Sequence, residues 1–173
     1  MDFFDVVEQR HSIRRYGPRE IEQDKLTKLL EAVNSAPSAG DLQAYEIVLV
    51  RQAETKHALG KAAYGQNFVA QAPVVLIFCA DHLLSASKYG ERGAGLYAVQ
   101  DATIAAAYCQ LAATALGLAT AWVGAFDPTA VREIIGAPEQ VTPVAIIPVG
   151  HAGEAPEPTP RRRLDELVRD EKF

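Results

Sequence analysis

The stretch that decides the fold runs from Leu96 to Gly117 and reads LYAVQDATIAAAYCQLAATALG. After Asp101 no charged residue occurs until Asp127, and the intervening segment is apolar on every helical face. That pattern predicts a buried central helix rather than a surface one. Twenty-two residues rising about 1.5 Å each would reach roughly 33 Å, enough for a membrane span. Gln100, Asp101, Gln110 and the two threonines argue against that reading, as does the dominance of alanine over leucine. Small side chains let other backbones approach closely, so the helix is expected to pack on several sides. A chain this short has few other long helices to supply, and a second copy of the same helix in a homodimer would fill the gap, a helix buried within a monomer being the alternative.

The rest of the chain arranges itself around this helix. Phe3, Val6 and Val7 form an apolar stripe over Asp2 to Gln9. Leu26, Leu29, Leu30 and Val33 follow the i, i+3, i+4, i+7 spacing of a helix from Glu22 to Asn34, which Pro37 brings to an end. Glu46 to Val50, Val74 to Cys79, Ala119 to Ala125 and Val141 to Val149 read as four strands. Ala53 to Ala72 has helical composition. Asp127 followed by Pro128 starts a further helix that Gly136 closes. Asp81 to Gly95, with three glycines and no clear period, reads as a loop able to cover a site. From Glu154 onward the proline-rich texture predicts an extended segment, either a frayed terminus or an arm laid across a partner subunit, with Leu164, Leu167 and Val168 as a small apolar face.

At 173 residues, 49% hydrophobic and 23% charged, the composition is that of one globular domain. A net charge of −5 gives no general attraction to nucleic acid or to an anionic membrane, so any basic site is local. Cys79 and Cys109 stand thirty residues apart in apolar surroundings, without metal-ligand spacing, and read as buried thiols of a reducing compartment. The opening MDFFDVVEQR has acids at Asp2 and Asp5 and no long apolar run, so the expectation is a cytoplasmic protein.

Four features bear on chemistry. Arg10-His11-Ser12-Ile13-Arg14-Arg15 places guanidinium groups and a hydroxyl in one loop, a donor set that suits a phosphate monoester and equally describes a charged surface turn. Ala36-Pro37-Ser38-Ala39-Gly40-Asp41-Leu42-Gln43 offers backbone amides at a turn, for a flat ligand or simply as a helix-to-strand connection. Trp122-Val123-Gly124-Ala125-Phe126 ends a strand, where Gly124 would let a ring lie against backbone. Arg161-Arg162-Arg163 is a second basic cluster, which would make a dianion site if it met the first.

Taken in this order, RHSIRRY, APSAGDLQ, GLATAWVGAF and TPRRRLDEL resemble the phosphate loop, second flavin segment, ring-side turn and closing phosphate contact of the nitroreductase family. The resemblance spans nearly the whole chain. It implies an α+β fold with a central mixed sheet flanked by helices. It also implies a homodimer built on the long helix, FMN at the interface, and NAD(P)H as cosubstrate. Residues 1–155 would form the FMN-binding domain and 156–173 an arm on the partner subunit.

In the cofactor site so implied, Arg10, His11, Ser12 and Arg14 form the first loop, with Arg10 and Ser12 facing the phosphate and ribityl chain and Arg14 the pyrimidine side of the ring, as an electrostatic stabiliser. Pro37, Ser38 and Gln43 come from the other subunit, Gln66 reaches the pyrimidine edge, Val123 and Gly124 lie near the reactive nitrogen, and Arg161 closes on the phosphate. No metal and no side-chain acid or base is implied, because the cofactor carries the chemistry. The acceptor would be a nitroaromatic, a quinone or a similar conjugated molecule. Relatives that dehalogenate substrates or fragment flavin, and a non-catalytic flavin-binding protein, are the alternatives. Two positions depart from the family pattern: Asp41 stands where asparagine is usual, and Ala44-Tyr45 replaces a common Pro-Trp.

Overall fold

The computed structural model describes residues 1–173. Its centre is a four-stranded sheet of β1 (Tyr45–Val50), β2 (Val74–Asp81), β3 (Ala119–Thr120) and β4 (Val141–Gly150), in the order β1-β2-β4-β3. Strand β2 alternates strictly across the sheet. Val75, Ile77 and Cys79 enter one core with Leu59, Val69 and Val131, while Val74, Leu76 and Phe78 enter another with Leu29, Val33 and Cys109. A strand covered on both faces has no polar side to show, which is why VVLIFC reads as a continuous apolar run.

The helices form two layers around the sheet. On one face lie α3 (Ala53–Ala62), α4 (Phe68–Gln71) and α7 (Pro128–Ile135). On the other lie α2 (Gln23–Asn34) and α6 (Ala98–Ala115). Helix α1 (Phe3–Gln9) starts on a reciprocal cap between Asp2 and Asp5 and sits beside α6. The Asp127 carboxylate accepts from the Thr129 and Ala130 amides and so opens α7. No helix is long and apolar enough to cross a membrane.

Several expectations need correction. Every ladder in the sheet is antiparallel, and the mixed character expected of it is confined to a single parallel bridge between Ser12 and Thr120. The predicted loop from Asp81 to Gly95 is mostly helical: α5 (His82–Arg92) starts where the Asp81 carboxylate accepts from the Leu84 amide, and a π turn over Gly93–Tyr97 leads into α6. Gly90, at φ 57° and ψ −144°, breaks the register and thereby hides the helical period in the sequence. The helix expected over Ala53 to Ala72 is two helices, parted where Tyr64 and Gly65 take positive φ. The strand expected over Ala119 to Ala125 shrinks to two residues plus a bridge from Val123 to Ile146.

Helix α6 divides its faces in a way the sequence does not show. Ala105, Ala106, Cys109 and Ala113 are buried in the chain's own core. On the outward side Thr103, Ala107 and Tyr108 are exposed and Ile104 and Leu111 are half-buried, beside the exposed Phe3, Phe4 and Val7 of α1. Beyond Glu154 the chain is exposed throughout, including Leu164 and Leu167 of α8 (Leu164–Leu167).

Candidate active site

The loop after α1 is tied down from two directions. The Ile13 amide donates to the Thr120 carbonyl at 2.9 Å, which fixes the loop to β3. On its other side runs the segment that leaves β4. The Gly17 amide donates to the His151 carbonyl at 2.9 Å and the Gly153 amide to the Arg15 carbonyl at 2.8 Å. A Cβ on Gly153 would stand 2.9 Å from the Tyr16 carbonyl carbon and 3.1 Å from the Arg15 oxygen, so only glycine permits this approach. The Tyr16 hydroxyl donates to the Pro148 carbonyl at 3.2 Å. Burial pushes that hydroxyl well above its ordinary pKa; the nearby Arg14 charge opposes the shift and Glu154 adds to it.

Between the loop and the returning tail lies a cavity of about 550 Å³, lined by Arg10, His11, Ser12, Arg14, Glu154, Ala155, Glu157, Thr159 and Arg161. The two basic clusters, 147 residues apart from Arg14 to Arg161, thus reach one point. Three guanidinium groups and two hydroxyls make a donor set for a phosphate monoester. The surface continues away from the cavity: the Arg14 guanidinium lies 6.0 Å from the centre of the Phe68 ring. Two residues before Phe68, the Gln66 side-chain amide donates to the carbonyls of Ala63, at 3.1 Å, and Ala125, at 3.0 Å. Arg14, Phe68 and the turn after Val123 and Gly124 are therefore linked, and the Gln66 amide nitrogen is already engaged within the chain.

Pro37, Ser38 and Gln43 lie apart from this cavity. The Asp101 carboxylate, 2% exposed, holds their segment by accepting from the Ala39 amide at 2.9 Å and the Ala44 amide at 3.4 Å. Gly40, Asp41 and Gln43 all take positive φ. Asp41 occupies the left-handed region that asparagine and aspartate tolerate better than other side chains do. Gln43 donates its side-chain amide to Asn34 and Tyr45, and its backbone amide to the Ser38 hydroxyl at 2.9 Å. Further along α6 the Gln110 amide donates to the Thr120 hydroxyl at 3.3 Å, close to the Ser12 bridge. Asp101 and Gln110 are separated by about 13 Å of helix, at 1.5 Å per residue. The two halves of the expected site thus sit toward opposite ends of α6 within one chain.

The sequence reading missed Asp101, Glu154, Glu157 and Thr159. Asp101 carried a signal, being the one charge in an otherwise neutral helix. The acids of the tail carried none that separated them from solvated charge.

Comparison with known proteins adds to this picture. The chain is 35% identical to NADH dehydrogenase of Thermus thermophilus over 92% of its own length and 91% of that protein. It is 32% identical to FMN reductase (NAD(P)H) of Bacillus subtilis, covering 94% of this chain and 70% of the relative. Its fold superposes on NADPH:FMN oxidoreductase from Vibrio harveyi, solved with NAD+, with a TM-score of 0.91, 26% identity, and coverage of 99% of this chain and 77% of that one. A three-layer α+β fold with these relatives defines a class, the NAD(P)H-dependent flavin oxidoreductases. Within it the chain belongs to the nitroreductase family, whose sequence model matches residues 7–69 and 60–151.

Proposed function

We infer that this enzyme uses FMN, taking hydride from NAD(P)H and passing electrons to a nitroaromatic, a quinone or a similar conjugated acceptor, and that it works as a cytoplasmic homodimer. The observation that carries the reading is the meeting of Arg10, His11, Ser12 and Arg14 with Arg161 in one cavity. A cavity of that donor chemistry in a chain of net charge −5 suits a bound dianion, and FMN ends in one.

FMN would supply the electron transfer between donor and acceptor. The chain's own residues bind and orient. Arg10 and Arg161 hold the phosphate end, with Ser12 and Thr159 as hydroxyl donors. Arg14, whose guanidinium lies 6.0 Å from the centre of the Phe68 ring, would offer its positive charge to the ring of a bound flavin, by the logic of a preorganised oxyanion site. Val123 and Gly124 form the ring-side wall.

The homodimer reading rests on the outward face of α6 and α1, where Phe4 is 79% exposed and Tyr108 39%. A two-fold axis crossing α6 would set the Asp101 end of one helix against the Gln110 end of the other. Pro37, Ser38 and Gln43 of one subunit would then approach the Arg10 to Arg14 loop of its partner. The arm from 156 to 173, with Leu164, Leu167 and Val168 exposed, would pack on that partner. Residues 1–155 remain the binding domain in this reading.

An absorbance spectrum of the purified protein tests the cofactor, and sedimentation tests the dimer. Anaerobic NAD(P)H oxidation with and without a nitroaromatic tests turnover. Flavin-free protein that takes up no FMN would overturn the reading.

A further inference from the structure

The acids of the cavity are its least expected feature, and one of them has a defined task. A single Glu154 oxygen, Oε1, accepts from two consecutive backbone amides, those of Arg14 at 2.7 Å and Arg15 at 3.1 Å. The Arg15 side chain donates back through Nε to the Gly153 carbonyl at 3.1 Å. Together with the Gly17 to His151 and Gly153 to Arg15 hydrogen bonds, these contacts splint the end of the basic loop, from Arg14 to Gly17, against residues 151–154.

Arg10, Ser12 and Arg14 all stand on that loop, and each donor must face the cavity at once. Loops left to their own backbone entropy do not hold three long or polar side chains in register. A carboxylate on two adjacent amides is a strong, charge-assisted tether for the segment between Arg14 and Arg15. It has a cost, since a negative charge beside three arginines opposes the binding of a phosphate.

We propose that Glu154 is a positioning residue for cofactor binding: its carboxylate fixes the Arg14–Arg15 backbone, and through it aims Arg14 into the cavity beside Arg10 and Ser12, which α1 and β3 hold. The ligand it serves is a phosphate-bearing flavin, so the inference rests on the function proposed above. The geometry of Glu154 matters to binding more than its charge.

Two substitutions separate geometry from charge. Glu154→Ala removes the acceptor. Glu154→Gln keeps an amide oxygen able to accept from both backbone N–H groups and removes the negative charge. Amide hydrogen exchange on the purified full-length protein reads the tether without reference to activity. In Glu154→Ala the Arg14 and Arg15 amides should exchange at least tenfold faster, with β2 amides unchanged as a check that the fold persists. FMN affinity should fall about tenfold or more, and riboflavin affinity by a similar factor, because the side chain set free is that of Arg14, which serves the ring both ligands carry. Glu154→Gln should restore slow exchange and bind FMN at least as tightly as the parent.

Unchanged exchange in Glu154→Ala overturns the inference. So does a loss for FMN much larger than that for riboflavin, which would place the effect at the phosphate, or a Glu154→Gln variant as impaired as Glu154→Ala. A parent protein that binds no flavin while the exchange pattern holds would instead overturn the cofactor reading and leave the splint standing.

Discussion

Truncating Asp101 to alanine removes the anchor of the Ala39–Ala44 segment. The carboxylate accepts from the Ala39 amide at 2.9 Å, a full charge-assisted hydrogen bond, and from the Ala44 amide at 3.4 Å, a weak one. Hydrogen bonds to a charged group contribute about 1.5–3 kcal/mol, and a buried amide left unpaired costs about 1–3 kcal/mol. Ala44 is fully buried, so no water takes over its N–H. The first contact sets the scale and the second adds a fraction, giving an expected loss of about 2–4 kcal/mol in unfolding free energy. Asp101→Asn keeps one acceptor oxygen but turns an NH₂ toward the other donor, and should cost about half as much. Urea unfolding followed by circular dichroism measures both, with an unchanged slope showing that the loss lies in stability and not in the unfolded chain. Because Ser38 and Gln43 belong to the same segment, FMN affinity should fall in the folded variant as well. An Asp101→Ala protein within about 0.5 kcal/mol of the parent would show that the segment holds its strained turn without the carboxylate.

Arg10→Ala and Arg161→Ala should each weaken FMN by about tenfold to a hundredfold and riboflavin far less, measured by fluorescence titration; equal losses would place both arginines away from the phosphate. Arg14→Gln should lower the midpoint potential of the bound flavin by about 30 mV, the equivalent of about 1.4 kcal/mol for two electrons, and an unchanged or higher potential by spectroelectrochemistry would mean that its charge acts elsewhere. Ala107→Arg, on the outward face of α6, should yield a folded monomer with weakened flavin binding in sedimentation. Ala106→Leu should instead cost the subunit's own core about 1–3 kcal/mol without direct effect on assembly. Burial pushes both thiols up to about 12, with Glu46 adding to the effect at Cys79. The folded chain therefore holds these protons where an unfolded one has lost them, so stability should be full below about pH 9 and fall as pH rises toward 12. Alkaline urea titrations of a Cys79→Ala, Cys109→Ala double variant would lose that slope if the thiols are its source.

The layers of the fold were legible because each core strand and helix announces its period. Leu26, Leu29 and Val33 lie on one face, and VVLIFC has no polar side to offer. The apolar α6 was legible as central, yet which alanines face inward was not. A residue with no side chain beyond Cβ suits either a core or an interface, and Ala106 and Ala113 turned out to belong to the core. Helix α5 was lost to Gly90, whose break erases the period on both sides. At the site, the arginines could be read as an anion-binding set because their chemistry is specific. Glu154 could not, since its task is to hold backbone amides, and an amide looks the same in every sequence.

The same tether bears on when the cavity comes into being. Arg14 and Glu154 stand 140 residues apart, and Arg161 lies further on still. Closing so long a loop costs entropy that only the packed sheet between them repays, and contacts of this span form late in folding. The RHSIRR loop alone is one wall of the cavity, which is complete only when residues 154–161 have packed across from it. Binding of the proposed cofactor should therefore report that the sheet joining the two clusters has folded.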